Sequence, residues 1–258
     1  MKINKQLKKK IKQILLFLGL WNLIKKLLKK DIGNPLNKNL LEEGINFYSQ
    51  FIKPNDLVFD VGANYGNRVE IFQKLNAKIV AIEPQRKCVD YLASKFKNIT
   101  IENIGLGSKN EFKTFYEADS SVLSTFSSDY IEKVKNTRHK TSIWKKSIEI
   151  EIKTLEMLIE KYGEPKFIKV DVEGFELEVF KGLKHKIGVV SFEYNIPELQ
   201  VEMIACMEQL NSIGYELFNF SKGETLLMNE KWLTLNDFLL LLDNKEINMS
   251  NFGDIYVK

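Results

Sequence analysis

The sequence predicts an α/β fold built on a mostly parallel sheet of about seven main strands with helices on both faces. The first observation is an alternation of apolar, strand-like runs with helical segments from residue 56 onward. The second is a pair of turns, DVGANYG at 60–66 and DVEGFE at 171–176, each of which follows an apolar run. Both turns place a carboxylate where a strand ends and glycine where the backbone enters a helix. Ligands bind at this end of the strands in open α/β sheets.

Each element is predicted from the period of its apolar residues and from the turn residues that bound it. Short apolar runs predict strands at 56–61, 78–82, 99–104, 166–170, 187–194, 215–220 and 254–258. Amphipathic segments between them predict helices at 67–75, 86–96, 155–162, 176–182 and 197–213. Period-2 alternation at 112–116 and 148–152 predicts an added hairpin. The Ser- and Thr-rich stretch 120–146 between those two strands is predicted to be a loop with a helix near Tyr130.

Charge is distributed unevenly along the 258 residues. The chain has 38 Lys and Arg against 34 Asp and Glu, a net charge of +4. Ten lysines and no acid lie within 1–30, so the rest of the chain has a net charge of −6. An acidic main domain argues against a nucleic-acid partner. Two Cys and two His, without metal-ligand spacing, argue against a zinc site or a disulfide framework and predict reduced thiols in a cytoplasmic protein.

Residues 1–30 predict a basic amphipathic helix, since apolar residues recur at helical spacing and lysines occupy another face. The apolar stretch 14–24 would form a helix of about 16 Å, too short for the roughly 30 Å hydrocarbon core of a bilayer. We expect the helix to lie on an anionic membrane surface at the cytoplasmic face. The alternative is a helix that packs on the protein's own domain or on another subunit. The predicted organisation is this helix at 1–30, a linker and helical lead-in at 31–53, and one domain at 54–258.

The turn at 60–66 predicts a nucleoside-bearing ligand that lacks phosphate. Its glycines, Gly62 and Gly66, do not match the G-x-G-x-x-G pattern of dinucleotide sites. The carboxylate of Asp60 would repel a pyrophosphate but attract the ammonium and sulfonium groups of S-adenosylmethionine (SAM). Glu83, after the next strand, is placed to accept hydrogen bonds from two ribose hydroxyls. We expect Asn64 to contact the methionine moiety.

The chain resembles the FkbM-type SAM-dependent methyltransferases from about Pro54 to its C-terminus. The segments that carry the resemblance are DVGANYG at 60–66, AIEP at 81–84, NIGLGSKN at 103–110, SSVLSTF at 120–126, KTLEMLIEKYGEPKFIKVDVEGFELEVFKGL at 153–183, VSFEYN at 190–195 and GDIYVK at 253–258. One departure is Gly105, where alanine is expected, which implies a slightly altered adenine edge.

The resemblance implies a class I methyltransferase fold with one antiparallel edge strand. It also implies methylation of an oxygen, on a hydroxyl of a sugar, glycan, glycolipid or polyketide-like acceptor. Together with the chemistry of the first turn, it gives the following predicted cofactor-binding residues: Asp60, Gly62, Ala63, Asn64, Gly66, Glu83, Pro84 and Gly105.

The second turn is expected to face the methyl acceptor. Methyl transfer to a hydroxyl releases a proton, so we predict Asp171, Glu193 and Glu173 as the catalytic carboxylates, one of them acting as general base. The alternative is that Asp171 and Glu193 hold a Mg²⁺ ion that acidifies the hydroxyl. The alternative for Glu173 is that it forms, with Glu176, a pair of carboxylates at the N-terminus of the next helix, stabilised by the helix dipole. Lys169 is expected to pair with an acid.

These observations predict a SAM-dependent O-methyltransferase that acts on a small-molecule or glycan acceptor at the cytoplasmic membrane face. Two other function classes stay open at this point. One is a nicotinamide-dependent oxidoreductase, which the chemistry of the first turn disfavours. The other is a membrane-associated binding module without catalysis.

Overall fold

The computed structural model describes residues 38–223, 225–244 and 251–258, together with Ile247 and Met249. The basic helix predicted at 1–30 and the first part of the predicted lead-in lie outside the described residues. Within the part of the chain that the structure describes, no helix is long and apolar enough to cross a membrane.

The described elements alternate between strands and helices, as the sequence predicted. The helices are α1 (Lys38–Tyr48), α2 (Asn67–Lys74), α3 (Arg86–Lys95), α4 (Ser128–Val134), α5 (Leu155–Tyr162), α6 (Glu176–Lys181), α7 (Gln200–Ser212) and α8 (Leu235–Asp243). The strands are β1 (Leu57–Val61), β2 (Lys78–Ile82), β3 (Thr100–Glu102), β4 (Gly105–Leu106), β5 (Glu111–Ala118), β6 (Trp144–Lys153), β7 (Phe167–Val170), β8 (Val189–Asn195), β9 (Phe218–Lys222) and β10 (Phe252–Val257).

Seven strands form one sheet in the order β3-β2-β1-β7-β8-β10-β9. The pairs from β3 through β8 are all parallel. The predicted α/β class and the count of seven main strands are therefore confirmed. Three further strands form a small sheet in the order β4-β6-β5, in which β5 and β6 pair antiparallel as the predicted hairpin.

The antiparallel strand lies one place inside the sheet, which differs from the predicted edge position. It is β10, and it pairs antiparallel with β8 on one side and with β9 on the other. Five of its six residues are buried, as an inner strand requires. The edge strand is β9, whose direction matches that of β8 because both run opposite to β10.

The strands that lead to the predicted site are buried on both faces, because helices cover both sides of the sheet. Side chains of β1 alternate between two hydrophobic clusters, with Val58 in one and Phe59 and Val61 in the other. Asp60 points to the same face as Val58, where Tyr48 of α1 and Phe72 of α2 pack. This face explains why a carboxylate at position 60 is almost wholly buried.

Candidate functional site

The sheet order brings the predicted site residues to one edge of the sheet. Strands β2, β1, β7 and β8 are consecutive neighbours and parallel, so their carboxyl ends lie side by side. Glu83 directly follows β2, Asp171 directly follows β7, and Glu193 lies near the end of β8. The part of the first turn that follows β1, residues 62–66, begins between the ends of β2 and β7.

The turn after β1 is pressed against the turn after β7. The N–H of Gly62 donates to the carbonyl of Ile82 (2.9 Å), and the N–H of Asp171 donates to the carbonyl of Val61 (2.9 Å). Gly62 has a φ of 85°, and a Cβ atom there would lie 1.9 Å from the carbonyl oxygen of Asp171. Glycine is required at this position for both reasons.

A non-glycine residue in such a backbone conformation costs roughly 1–3 kcal/mol of stability through strain alone. We expect Gly62→Ala to destabilise the protein by more than this. The excess comes from the clash with Asp171. Gly163→Ala is the matched control, because Gly163 also has a positive φ (94°) but its nearest neighbour would be 4.0 Å away. Denaturant unfolding of both variants measures the difference. If Gly62→Ala lowers the free energy of unfolding no more than Gly163→Ala does, the contact between the two turns is contradicted.

Glu83 is held in a fixed orientation by the backbone on both sides of it. The N–H of Asn64 donates to its Oε2 (2.7 Å), and the N–H of Gln85 donates to its Oε1 (2.7 Å). Each oxygen keeps a second lone pair, with which it can accept a hydrogen bond from a ligand hydroxyl. Burial raises the pKa of Glu83 to about 7, although the two backbone hydrogen bonds oppose the rise.

An inner cavity lies over these strand ends, and its empty space of about 460 Å³ includes space that is open to solvent. Its walls come from the first turn, the end of β2, the loop around β4, the segment after β5 and the second turn. The lining residues are Val61, Gly62, Asn64, Ile82, Glu83, Pro84, Gln85, Ile104, Gly105, Leu106, Phe115, Ser121, Val122, Ser124, Phe126, Asp171, Val172 and Glu173.

Three of the predicted cofactor-binding residues do not line the inner cavity. Asp60 is buried beside charged neighbours: burial raises its pKa to about 7, and the charges of Lys169 and Arg68 oppose the rise. Ala63 uses its N–H to hold the turn, by donating to the carbonyl of Ile82 (3.1 Å). Gly66 is close to α3, since a Cβ atom there would lie 2.5 Å from a ring carbon of Phe96. These positions indicate that the three residues shape the turn from behind.

The second turn brings three carboxylates together. One oxygen each from Asp171, Glu173 and Glu193 lies within 4.8 Å of the other two. Glu173 has a φ of 53°, an unusual backbone conformation for a residue with a side chain. Glu176, the first residue of α6, accepts hydrogen bonds from the N–H groups of Val172 (3.1 Å) and Gly174 (3.3 Å). Glu176 therefore holds the turn, whereas Glu173 is left to face the site.

Burial and the crowding of like charges raise the pKa of two of these groups. Burial, followed by the charge of Asp171, raises the pKa of Glu173 to about 8. Burial and the charges of Asp171 and Glu173 raise the pKa of Glu193 well above its usual range. The amide of Asn195 donates to Glu193 Oε2 (3.0 Å). A carboxylate whose pKa lies near neutrality is suited to proton transfer at physiological pH.

Lys169 pairs with two acids, which confirms the pairing predicted for it. Its Nζ lies 2.8 Å from Asp254 Oδ1 and 3.5 Å from Asp171 Oδ2, and its side chain is buried. Burial disfavours the ammonium form, but the charges of Asp171 and Asp254 outweigh burial and raise the pKa of Lys169. The ammonium group therefore lies beside Asp171, and its charge offsets part of the repulsion among the three carboxylates.

An outer depression adjoins the inner cavity on the side of β8. Its volume is about 1200 Å³, open to solvent. Glu173 lines both spaces, and it is the only residue shared by the two linings among the described residues. The outer depression is lined by Leu123, Thr137, Arg138, His139, Glu173, Glu193, Asn195, Pro197, Glu198, Asn251 and Phe252.

The methyltransferase FkbM domain model matches residues 60–221 of this chain. The chain belongs to the FkbM family of SAM-dependent methyltransferases. The matched range begins at Asp60 in the first turn and includes the second turn and the whole segment between β5 and β6. It therefore covers all the residues that line the inner cavity. No curated protein sequence matches the chain significantly.

Solved structures with a similar architecture are distant in sequence. A TehB-like SAM-dependent methyltransferase from Corynebacterium glutamicum is 9% identical with a TM-score of 0.46, covering 94% of this chain and 95% of that one. A precorrin-6y C5,15-methyltransferase from Geobacter metallireducens is 10% identical with a TM-score of 0.43, covering 88% and 94%. A putative methyltransferase from Streptococcus mutans in complex with SAH is 12% identical with a TM-score of 0.40, covering 86% and 98%. The family assignment rests on the domain match.

The roles of the individual residues in this FkbM-family site stay predictions, but their placement is clear. Of the predicted cofactor-binding residues, Gly62, Asn64, Glu83, Pro84 and Gly105 line the inner cavity. The residues that the sequence analysis missed include Gln85, Ser121 and Ser124, which form a buried network: Gln85 Nε2 donates to the carbonyl of Ser121 (3.0 Å), and Ser124 Oγ donates to Gln85 Oε1 (3.2 Å). The segment SSVLSTF, which supported the resemblance, carried the signal that could have identified the two serines.

Proposed function

We propose that this protein is a SAM-dependent O-methyltransferase that methylates a hydroxyl of a polyhydroxylated acceptor, such as a sugar or a glycan. The observation that carries the proposal is the position of Glu173 between the inner cavity and the outer depression. SAM would occupy the first space and the acceptor the second. A base at their junction would lie beside the hydroxyl that receives the methyl group.

The charge of the inner cavity supports SAM over a nicotinamide dinucleotide. Glu83, Asp171 and Glu173 all line it, and no Lys or Arg does so among the described residues. A pyrophosphate would be repelled by these carboxylates and would find no cationic partner. The ammonium and sulfonium groups of SAM would be attracted, and Glu83 keeps lone pairs for the ribose hydroxyls.

The proposed reaction is a single displacement. The hydroxyl oxygen of the acceptor attacks the methyl carbon, the new C–O bond forms as the C–S bond breaks, and S-adenosylhomocysteine leaves. The hydroxyl proton passes to a carboxylate, for which Glu173 is the best placed of the three predicted catalytic residues. Positioning of the two substrates and removal of this proton are the contributions that the protein makes.

The lining of the outer depression supports a polar acceptor over an apolar polyketide. Thr137, His139, Asn195 and Asn251 offer hydrogen-bonding groups beside the carboxylates. Arg138 forms a fixed part of the wall, since it donates to Asn195 Oδ1 (2.6 Å), to the carbonyl of Asn251 (2.9 Å) and to Glu198 Oε2 (3.1 Å). Sugar hydroxyls can replace water at such a surface, whereas an apolar chain cannot.

A divalent cation is the second route to the same product. The mutual spacing of the Asp171, Glu173 and Glu193 oxygens would allow them to share a cation, and hard oxygen ligands suit Mg²⁺. A bound cation would lower the pKa of the acceptor hydroxyl and remove the need for a carboxylate base. Chelation separates the two routes: turnover that survives chelation favours the base, and turnover lost and then restored by Mg²⁺ favours the cation.

A transfer screen tests the proposed function. The protein is incubated with SAM labelled in its methyl group and with matched acceptor pairs, each a free glycoside and its fully O-methylated counterpart. We expect transfer to some of the free glycosides and to none of the O-methylated counterparts. Binding of SAM with transfer only to apolar hydroxyls would contradict the acceptor class. Binding of NAD in preference to SAM would contradict the cofactor.

We also propose that residues 1–30 attach the protein to the anionic cytoplasmic face of a membrane. The support is the sequence pattern alone, because these residues lie outside the described part of the chain. Each lysine near an anionic surface contributes up to about 1 kcal/mol, and salt screens this attraction. The full-length protein should sediment with phosphatidylserine vesicles at low salt, and much less at high salt or with phosphatidylcholine vesicles. Equal sedimentation with both kinds of vesicle, or none, would contradict the proposal.

A further inference from the structure

Glu173 is held by the segment that connects β5 with β6, residues 119–143. Thr125 is anchored to β5, since its N–H donates to the carbonyl of Tyr116 (3.1 Å) and its carbonyl accepts from the N–H of Tyr116 (2.8 Å). The hydroxyl of Thr125 donates to the carbonyl of Glu173 (2.7 Å). The same hydroxyl accepts from the N–H of Ser127 (2.9 Å), whose side chain caps the N-terminus of α4 by accepting from the N–H of Tyr130 (3.0 Å). One chain of contacts thus joins β5, the second turn and α4.

Tyr130 completes this arrangement at the carboxylate itself. Its side chain is buried, and its hydroxyl donates a hydrogen bond to Glu173 Oε2. Its ring lies against Gly174: a Cβ atom at 174 would lie 2.8 Å from Tyr130 Cβ and 2.9 Å from its Cδ2. The absence of a side chain at 174 therefore lets the ring approach the turn closely enough to reach Glu173.

The backbone of Glu173 needs support of this kind. A residue with a side chain at a φ of 53° is in a sparsely populated conformation that persists only where surrounding contacts hold it. Thr125 fixes its carbonyl and Tyr130 fixes one carboxylate oxygen. In the proposed reaction, the other oxygen, Oε1, would receive the proton of the acceptor hydroxyl. Burial and the charge of Glu173 raise the pKa of Tyr130, so its hydroxyl stays protonated and acts as a donor.

We propose that Tyr130 is a positioning residue, which acts through Glu173 to hold the carboxylate at the junction of the two binding spaces. The inference rests on the proposed function, because it assigns Tyr130 a part in proton removal by Glu173. It gives the segment between β5 and β6 a role in the methyl-transfer step, beyond shaping a wall of the site.

The test compares Tyr130→Phe with the matched control Tyr215→Phe. Tyr215 is also buried, its hydroxyl donates to the carbonyl of Ile187 (2.5 Å), and neither residue lines the inner cavity or the outer depression. We expect Tyr130→Phe to lower kcat by about 10-fold or more while the KM for SAM is unchanged, and Tyr215→Phe to leave kcat near the wild-type value. Equal kcat values in the two variants would overturn the proposal.

A double variant distinguishes action through Glu173 from a separate effect. If Tyr130 acts only through that carboxylate, Tyr130→Phe should cause no further loss of kcat in a Glu173→Gln background. If Tyr130→Phe lowers kcat in the Glu173→Gln background by the same factor as in the wild type, the proposal is overturned.

A second measurement does not depend on turnover or on knowledge of the acceptor. Hydrogen exchange at residues 172–175 should be faster in Tyr130→Phe than in the wild type and unchanged in Tyr215→Phe. Unchanged exchange in Tyr130→Phe would overturn the proposal even if no acceptor is methylated. Faster exchange in a protein that methylates none of the acceptors would contradict the proposed function and leave the positioning contact intact.

Discussion

Glu173→Gln should lower kcat by about 10²–10⁴-fold, the range that general-base catalysis contributes. The amide has nearly the shape of the carboxylate, so the turn and the hydrogen bond from Tyr130 are preserved in outline. It cannot accept a proton, however, and the hydroxyl of the acceptor then has no base within the junction. Glu173 is one of three carboxylates that line the inner cavity, so the loss of its charge should weaken SAM binding much less than it lowers kcat. Steady-state kinetics and calorimetry measure the two quantities separately.

Glu178→Gln is the matched control for this variant. Glu178 lies in α6, a few residues further along the chain, and it is bound by Ser108 and Lys181 outside the site. Its kcat should stay near that of the wild type. Turnover of Glu173→Gln close to that of Glu178→Gln would remove Glu173 from the mechanism and would direct attention to Asp171 and Glu193.

Glu83→Gln should weaken SAM binding by about 1–3 kcal/mol, which is roughly 5- to 150-fold in Kd. In the folded protein each carboxylate oxygen accepts a hydrogen bond from a backbone N–H group and keeps a spare lone pair that a ribose hydroxyl could use. A glutamine can accept with only one end. Its NH₂ group would face the N–H of Asn64 or of Gln85, which would disturb the turn as well as the ligand contact.

The exposed Glu42→Gln, on α1, controls for the loss of one negative charge far from the cavity. Calorimetric titration with SAM and with S-adenosylhomocysteine should show the weakening in Glu83→Gln and none in Glu42→Gln. Equal affinities in the two variants would mean that Glu83 only stabilises the turn and that the ribose lies elsewhere.

Local sequence patterns were sufficient to locate the central strands, but they could not give the order of the strands in the sheet. Strands β1, β2 and β7 are short apolar runs bounded by turn residues, so period and composition identified them. The place of β10 between β8 and β9 depends on pairing between segments that are distant in the chain, which no local pattern encodes. Helix α8 was missed although Thr234 caps it by accepting from the N–H of Asp237 (3.2 Å), a signal that precedes an obvious apolar run.

Some residues of the site could likewise be predicted from the sequence, and others could not. Glu83 and Asp171 could be predicted because the end of a parallel strand is a position that the sequence marks directly. The burial of Asp60 away from the inner cavity could not be predicted, because it depends on which face of β1 the carboxylate occupies and on Lys169 beside it. Tyr130 was equally hidden, since its contact with Glu173 joins two segments 43 residues apart. Residues that act across such distances become visible only in the folded chain.

The most direct test of the proposed function follows the methyl group itself. SAM carrying a ¹³C-labelled methyl group is incubated with the protein and a neutral glycoside that the screen identifies, and the product is examined by NMR. We expect one new methyl ether signal, with the label on a single sugar oxygen and S-adenosylhomocysteine formed in equal amount. A label on a nitrogen or carbon atom of the acceptor would contradict the proposed O-methylation. SAM that binds to the protein but is consumed with none of the hydroxyl acceptors would also contradict it.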